Sequence, residues 1–384
     1  MDSTAAIADL IDQRRVIVTV GAGGVGKTTT AAAIGVAAAR RGKRVLCLTI
    51  DPAKRLAESL GIAEMRTEAV AVDPARFASA GVPLTGSLTA MMLDTKRTFD
   101  ELVEKYSSTP EKAQKLLSNK LYQYVSTSLA GTQEYMAMEK LVAVKDDPRY
   151  DLIVLDTPPT ANALDFLDAP ERLTAALDSA TMKWFVQAFE SSGKFSLNLL
   201  AKSAAAILKG IGRITGGGFL EAMAEFIGEL NDLFGGFKER ARRVESALRG
   251  EEVAFVLVTS ASPPSIQEVL YFAERLGEAG MPRGAFVVNR FHVPPARACE
   301  GITKEDAARG IHERKLALDD DAPSRLVTAH GDAVKLAALD ARHVRVLEQS
   351  HGSTPLVRVA ELDTDVHDLV LLARLGDTLL AGGV

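Results

Sequence analysis

A lysine and a threonine closing a glycine-rich run are suited to one kind of chemistry: holding a chain of phosphates. In "VGAGGVGKTTTAAAIG" (Val20 to Gly35), Gly21, Gly26, Lys27 and Thr28 keep the GxxxxGK[ST] spacing. Backbone N–H groups freed by glycine and the start of a helix can wrap phosphates, while Lys27 neutralises the terminal ones. The Thr28 hydroxyl is expected to ligate magnesium, and Gly23, Gly24, Val25, Gly26, Lys27, Thr28 and Thr29 are expected to surround the nucleotide. Two carboxylates lie at strand ends nearby in the pattern. Asp51, in "TIDPAKRLAESLG", can orient or deprotonate an attacking water, and it can also cap a helix that begins near Pro52. Asp156, in "VLDTPPTANALDFL", suits a contact to magnesium through water, followed by a loop able to sense a γ-phosphate.

Such residues need a rigid frame, and the chain supplies the strands for one. "RVIVTV" (Arg15 to Val20), "RVLCLTI" (Arg44 to Ile50), "DLIVLD" (Asp151 to Asp156), "VAFVLVTS" (Val253 to Ser260) and "GAFVVNR" (Gly284 to Arg290) are nearly continuous apolar runs, the pattern of strands buried on both faces. Helical stretches separate them. The predicted fold is α/β, a doubly wound and mainly parallel sheet with ligands at the carboxyl ends of its strands. All 384 residues are read as one P-loop domain with two long helical insertions, 83–144 and 169–250. In the second, apolar residues from Phe219 to Phe237 recur every three or four positions as one helical stripe. The charged span from His292 to Ser353 reads as exposed helices and loops on one side of the sheet.

Composition narrows the function classes. With 45 basic and 50 acidic residues and a net charge of -5, no global field favours nucleic acid, and none is expected as a partner. The N-terminus lacks an apolar core segment before Arg14, and apolar stretches are broken by charge well short of the roughly 20 residues of a membrane span. A non-transmembrane chain in the cytoplasm is expected. Cys47 and Cys299 form no CxxC pair, and the six histidines show no HxxxH spacing, so a metal held by protein side chains alone is not expected. Cys47 reads as a small buried hydrophobe.

Beyond the phosphate loop, the residues resemble the ArsA-type P-loop ATPases of the SIMIBI class, a family that includes the arsenite-pump ATPase and the ATPase targeting tail-anchored membrane proteins; the chain looks like a bacterial-type member. "GGVGKTT" is similar to the family's deviant Walker A motif, "DPAKRLAESLG" to its switch I, and "LDTPPTANALDFLDAPERL" to its switch II. "SPPSIQEVLYFAERL" and "VVNRF" resemble the segment leading to an adenine-contacting asparagine, which places Asn289 at the base, and "VRVAELDTDVHDLVLL" resembles the loop that closes over it. The resemblance implies an ATP- and magnesium-dependent ATPase, with Asp51 and Lys27 catalytic, working as a homodimer or as a heterodimer with a paralogue, and handling a protein client or a peripheral membrane partner.

Three departures qualify what is carried over. Ala22 stands where relatives carry a lysine that reaches across the dimer, so a substitute cation must come from Lys54 or Arg55, or from a lysine-bearing paralogue, or hydrolysis is slow. Ala161 and Asn162 replace the Gly-His pair of switch II. The second insertion is rich in phenylalanine but poor in methionine, so a flexible methionine groove is not evident, and two distant cysteines argue against arsenite. The competing reading is a slowly hydrolysing nucleotide-dependent switch or assembly module.

Overall fold

A computed structural model describes residues 5–50, 56, 57, 60, 62, 68–119, 122, 123, 126, 132–157, 237–296, 298 and 301–384. The chain divides into two compact units, one of residues 1–91, 149–161 and 251–384, the other of residues 92–148 and 162–250.

The first unit is built on an eight-stranded sheet: β1 (Val16–Val20), β2 (Arg44–Thr49), β3 (Val70–Ala71), β4 (Ser87–Met92), β5 (Leu152–Asp156), β6 (Val253–Ser260), β7 (Arg283–Phe291) and β8 (Leu356–Ala360), in the order β3-β4-β2-β5-β1-β6-β7-β8. From β2 to β8 every neighbouring pair is parallel, and β3 joins β4 antiparallel at one edge. All five residues of β1 and of β5 are buried, as an apolar run at the centre of a sheet covered on both faces requires. All five strands expected from apolar runs are present.

Helix α1 (Ala6–Gln13) precedes β1, and α2 (Lys27–Arg40) follows the glycine-rich loop. The stretch from Ala31 to Ala39 is buried throughout, because α2 is enclosed by the sheet on one side and by the last helix on the other. Small residues stand at the closest approaches: a Cβ on Gly35 would lie 2.4 Å from Cys47 Sγ, and one on Gly376 of the last helix 3.0 Å from the Ala33 carbonyl oxygen. Short α3 (Pro74–Ser79) lies between β3 and β4, while α8 (Pro263–Glu278) crosses from β6 to β7. Then come α9 (Lys304–Glu313), α10 (Ala322–His351) and α11 (Leu369–Leu380). The charged span after His292 is thus mostly helix, and its "DDD" ends in Asp321 at the N-cap of α10.

Two expectations need correction. The stretch "VRVAELDTDVHDLVLL" is not one loop: it begins in β8, whose Val357 and Val359 are buried beside β7, and ends in α11, which buries Leu369, Leu372, Leu375 and Leu379. Within 83–144, the segment Ser87–Met92 is a strand of the sheet, because Leu88, Ala90 and Met91 turn apolar atoms to the core.

The second unit contains, among the described residues, α4 (Thr95–Tyr106), α5 (Pro110–Ser118), α6 (Thr132–Lys145) and α7 (Phe237–Leu248). Asp94 caps α4 by accepting from the Arg97 N–H at 2.9 Å, and Thr109 with Pro110 starts α5. Phe99, Leu102, Val103, Leu116, Tyr122 and Tyr135 form its core, with Phe99 and Tyr122 edge to face at 5.5 Å. Arg240 of α7 lies 3.9 Å from Glu139 of α6 and its guanidinium stacks 4.1 Å from the Tyr106 ring centre, while burial pushes the Glu139 carboxyl up. The apolar stripe from Phe219 to Phe234 falls outside the described residues.

At the amino edge of the sheet, Arg44 and Asp151 form a bidentate pair, with the Arg44 guanidinium donating at 2.7 and 3.0 Å. These bonds and the Arg44 backbone N–H hold the Asp151 carboxyl down at about 2. A carboxyl lowered in the folded state contributes stability above its unfolded range and loses it as pH falls through about 2. Asp151→Asn should therefore lower thermal stability modestly at pH 7, by under about 1 kcal/mol for so exposed a pair. The gap from the parent chain should close toward pH 2 in calorimetric melts.

Candidate nucleotide site

The loop between β1 and α2 opens at the carboxyl edge of the sheet, where parallel strands leave a crevice for ligands. Gly21 adopts φ 150°, and a Cβ there would stand 1.9 Å from the carbonyl oxygen of Val258 on β6. Gly26 adopts φ 96°, and its Cβ would stand 2.3 Å from Nδ2 of Asn289. Both positions demand glycine for backbone shape and for space. Gly23 and Gly24 are exposed, Val25 is buried, and Thr28 and Thr29 are half-buried at the start of α2.

Lys27, the first residue of α2, is 5% exposed, and its amine donates to the Ala22 carbonyl at 2.7 Å. The lysine therefore bends back over the loop that precedes it. Burial of a cation is costly unless acceptors compensate, so this amine is placed where an anion entering the loop would be strongly favoured. Ala22 itself is buried, and its methyl group adds no charge to the site.

Asp156, at the end of β5, is fully buried, and its Oδ2 accepts from the Thr49 hydroxyl at 3.1 Å. The register that pairs Thr49 with Asp156 sets the two side chains beside each other once β2 and β5 align. Next along the chain, the Thr157 hydroxyl donates to the Thr19 carbonyl at 2.8 Å, tying the exit of β5 to β1 beside the loop. Behind these groups the Cys47 thiol is pushed up to about 12, first by burial and then by the Asp156 charge. It is held as a neutral hydrophobe.

Asn289, near the end of β7, reaches the same loop: its Nδ2 donates to the Val25 carbonyl at 3.0 Å. Strand β7 places it opposite Ser260, the last residue of β6. Thus Gly21, Val25, Gly26, Lys27, Asp156 and Asn289 converge on one edge of the sheet. Asp51, Lys54, Arg55, Ala161 and Asn162 lie outside the described residues. Spacing did not reveal Thr49, Thr157 or the Asn289 tether, since each is created by strand register and carries no motif of its own.

A strand, a glycine-built loop and a helix opening with a buried lysine define a P-loop nucleoside triphosphatase. The exposed open face of the loop at Gly23 and Gly24 leaves room for phosphates, with Thr28 and the Asp156 carboxylate suited to a divalent cation.

Comparisons with known proteins agree. The profile of the anion-transporting ATPase family matches residues 14–316. ATPase GET3 of Malassezia globosa is 25% identical over 315 residues, covering 80% of this chain and 83% of the relative. ATPase get3 of Aspergillus terreus is 26% identical over 308 residues, covering 77% and 82%. The chain belongs to the anion-transporting ATPase family. It is an ATPase, and among its described residues no helix is long and apolar enough to cross a membrane.

Proposed function

We propose that this ATPase hydrolyses ATP with magnesium in the loop between β1 and α2 and couples the cycle to pairing of two chains and to movement of the helical unit. The observation that carries the reading is the buried Lys27 amine, folded back to the Ala22 carbonyl at the open carboxyl edge of the sheet. Gly23, Gly24, Val25, Gly26, Lys27, Thr28 and Thr29 hold the phosphates, and Asn289 meets the adenine. Thr28 ligates magnesium directly and Asp156 through water, its carboxylate steadied by Thr49. Magnesium would supply charge neutralisation on the terminal phosphates. Asp51 orients the attacking water and accepts its proton.

The two insertions, read from the sequence as 83–144 and 169–250, are the surface for a protein client or membrane component, and the chain acts in the cytoplasm. The client reading rests on the resemblance of the switch motifs to the ATPases that target tail-anchored proteins, and relatives named ATPase GET3 support the ATPase itself. Ala22 favours a second reading, a slowly hydrolysing switch, because its methyl group offers no cation to a partner site.

Solution mass with magnesium and ADP, then with a non-hydrolysable ATP analogue, tests the pairing. The expected result is a mass that doubles with the analogue. A mass that stays monomeric with nucleotide demonstrably bound would contradict self-pairing and leave a lysine-bearing paralogue as the partner.

A further inference from the structure

We infer that Asn289 is a positioning residue of the phosphate loop: by holding the Val25 carbonyl it sets the direction of the next backbone N–H, that of Gly26. The inference rests on the nucleotide reading above and goes beyond a contact to the base. Only the Nδ2 end of an asparagine amide can face a carbonyl oxygen, so the 3.0 Å contact fixes which way the side chain points. The peptide joining Val25 to Gly26 is trans, and in a trans peptide the C=O and the N–H point to opposite sides. Tying the Val25 oxygen toward β7 therefore turns the Gly26 N–H away from β7, to the side left for phosphate. This is how a loop donor is aimed before any anion arrives.

Three further features fit this role. Gly26 must lack a side chain, since a Cβ would strike Asn289 Nδ2 at 2.3 Å; the close approach of amide and loop is built in. Arg290, immediately after Asn289, adopts φ 54°, a left-handed conformation unusual for a non-glycine residue. The pairing of β7 with β8 shifts register between Val288 and Phe291, so the strand is irregular at the two residues that carry the amide to the loop. Local strain and a lost ladder position are tolerated at a point where an ordinary strand would run straight. With one Nδ2 hydrogen engaged by Val25, the second Nδ2 hydrogen and Oδ1 are left for a base.

The test separates loop positioning from base contact by using a ligand without a base. Binding of magnesium with inorganic tripolyphosphate, and of magnesium with ATP, is measured by calorimetry on the full chain and on Asn289→Ala. Loss of the tether is expected to weaken tripolyphosphate about tenfold, and to lower kcat at saturating ATP as well as raise KM. Asn289→Leu, which keeps side-chain volume without a polar atom, should behave the same and guards against a folding defect, with unchanged thermal melts of the free proteins as the control. A variant that binds tripolyphosphate like the parent but loses ATP affinity, with kcat preserved, would overturn the inference and leave Asn289 a base contact only. A parent chain that binds neither ligand would overturn the nucleotide reading itself, a failure visible before any substitution is made.

Discussion

Lys27→Ala should reduce kcat/KM for ATP by at least about a thousandfold, the scale expected when a cation aimed at transferring phosphate is removed. The amine sits 5% exposed at the first turn of α2, already held against the loop by the Ala22 carbonyl. Phosphate can take it over with little further loss of side-chain freedom, so its contribution is large in binding and larger in the transition state. Alanine is well tolerated at that helix position, and relief of the buried cation's desolvation offsets the lost bond to the Ala22 carbonyl, so the melting temperature should change little. The measurement is phosphate release together with calorimetric binding of ATP. Hydrolysis retained in the variant would refute the assignment of the phosphate loop.

Asp51→Asn should leave ATP binding nearly unchanged and lower single-turnover hydrolysis by about 100- to 10,000-fold, the range for a lost general base. The amide keeps the shape and the capping oxygen of the carboxylate while losing its basicity, so a residue that only caps the following helix would pass the substitution almost silently. The two roles are thus read apart by one variant. Binding and turnover both surviving would make Asp51 a cap and move the search for the water-orienting group elsewhere at the carboxyl edge.

Much of the frame was legible because its strands are buried on both faces. β1, β2, β5, β6 and β7 each read as an unbroken apolar run, and the loop between β1 and α2 is a local pattern that needs no tertiary partner to be recognised. β8 was missed for the opposite reason: as an edge strand it buries only Val357 and Val359 and turns Arg358 to a Glu348 partner, and resemblance drew the whole stretch toward a loop. β4, "SLTAMM", mixes Ser and Thr with apolar residues and lies in a region otherwise helical. In the site, residue types announced Lys27, Thr28 and Asp156, whereas the Thr49 contact and the Asn289 tether exist only through register across strands. Ala22 was legible as a departure, and its carbonyl as the partner of Lys27 was not.

ATP hydrolysis at this loop is measured as phosphate release from the purified chain with ATP, with and without magnesium, alongside the amount of ATP bound per chain. The expected result is one ATP bound per chain and phosphate release that requires magnesium, slow if Ala22 has no substitute cation. A chain that binds no ATP, or releases phosphate equally well when magnesium is chelated, would contradict it.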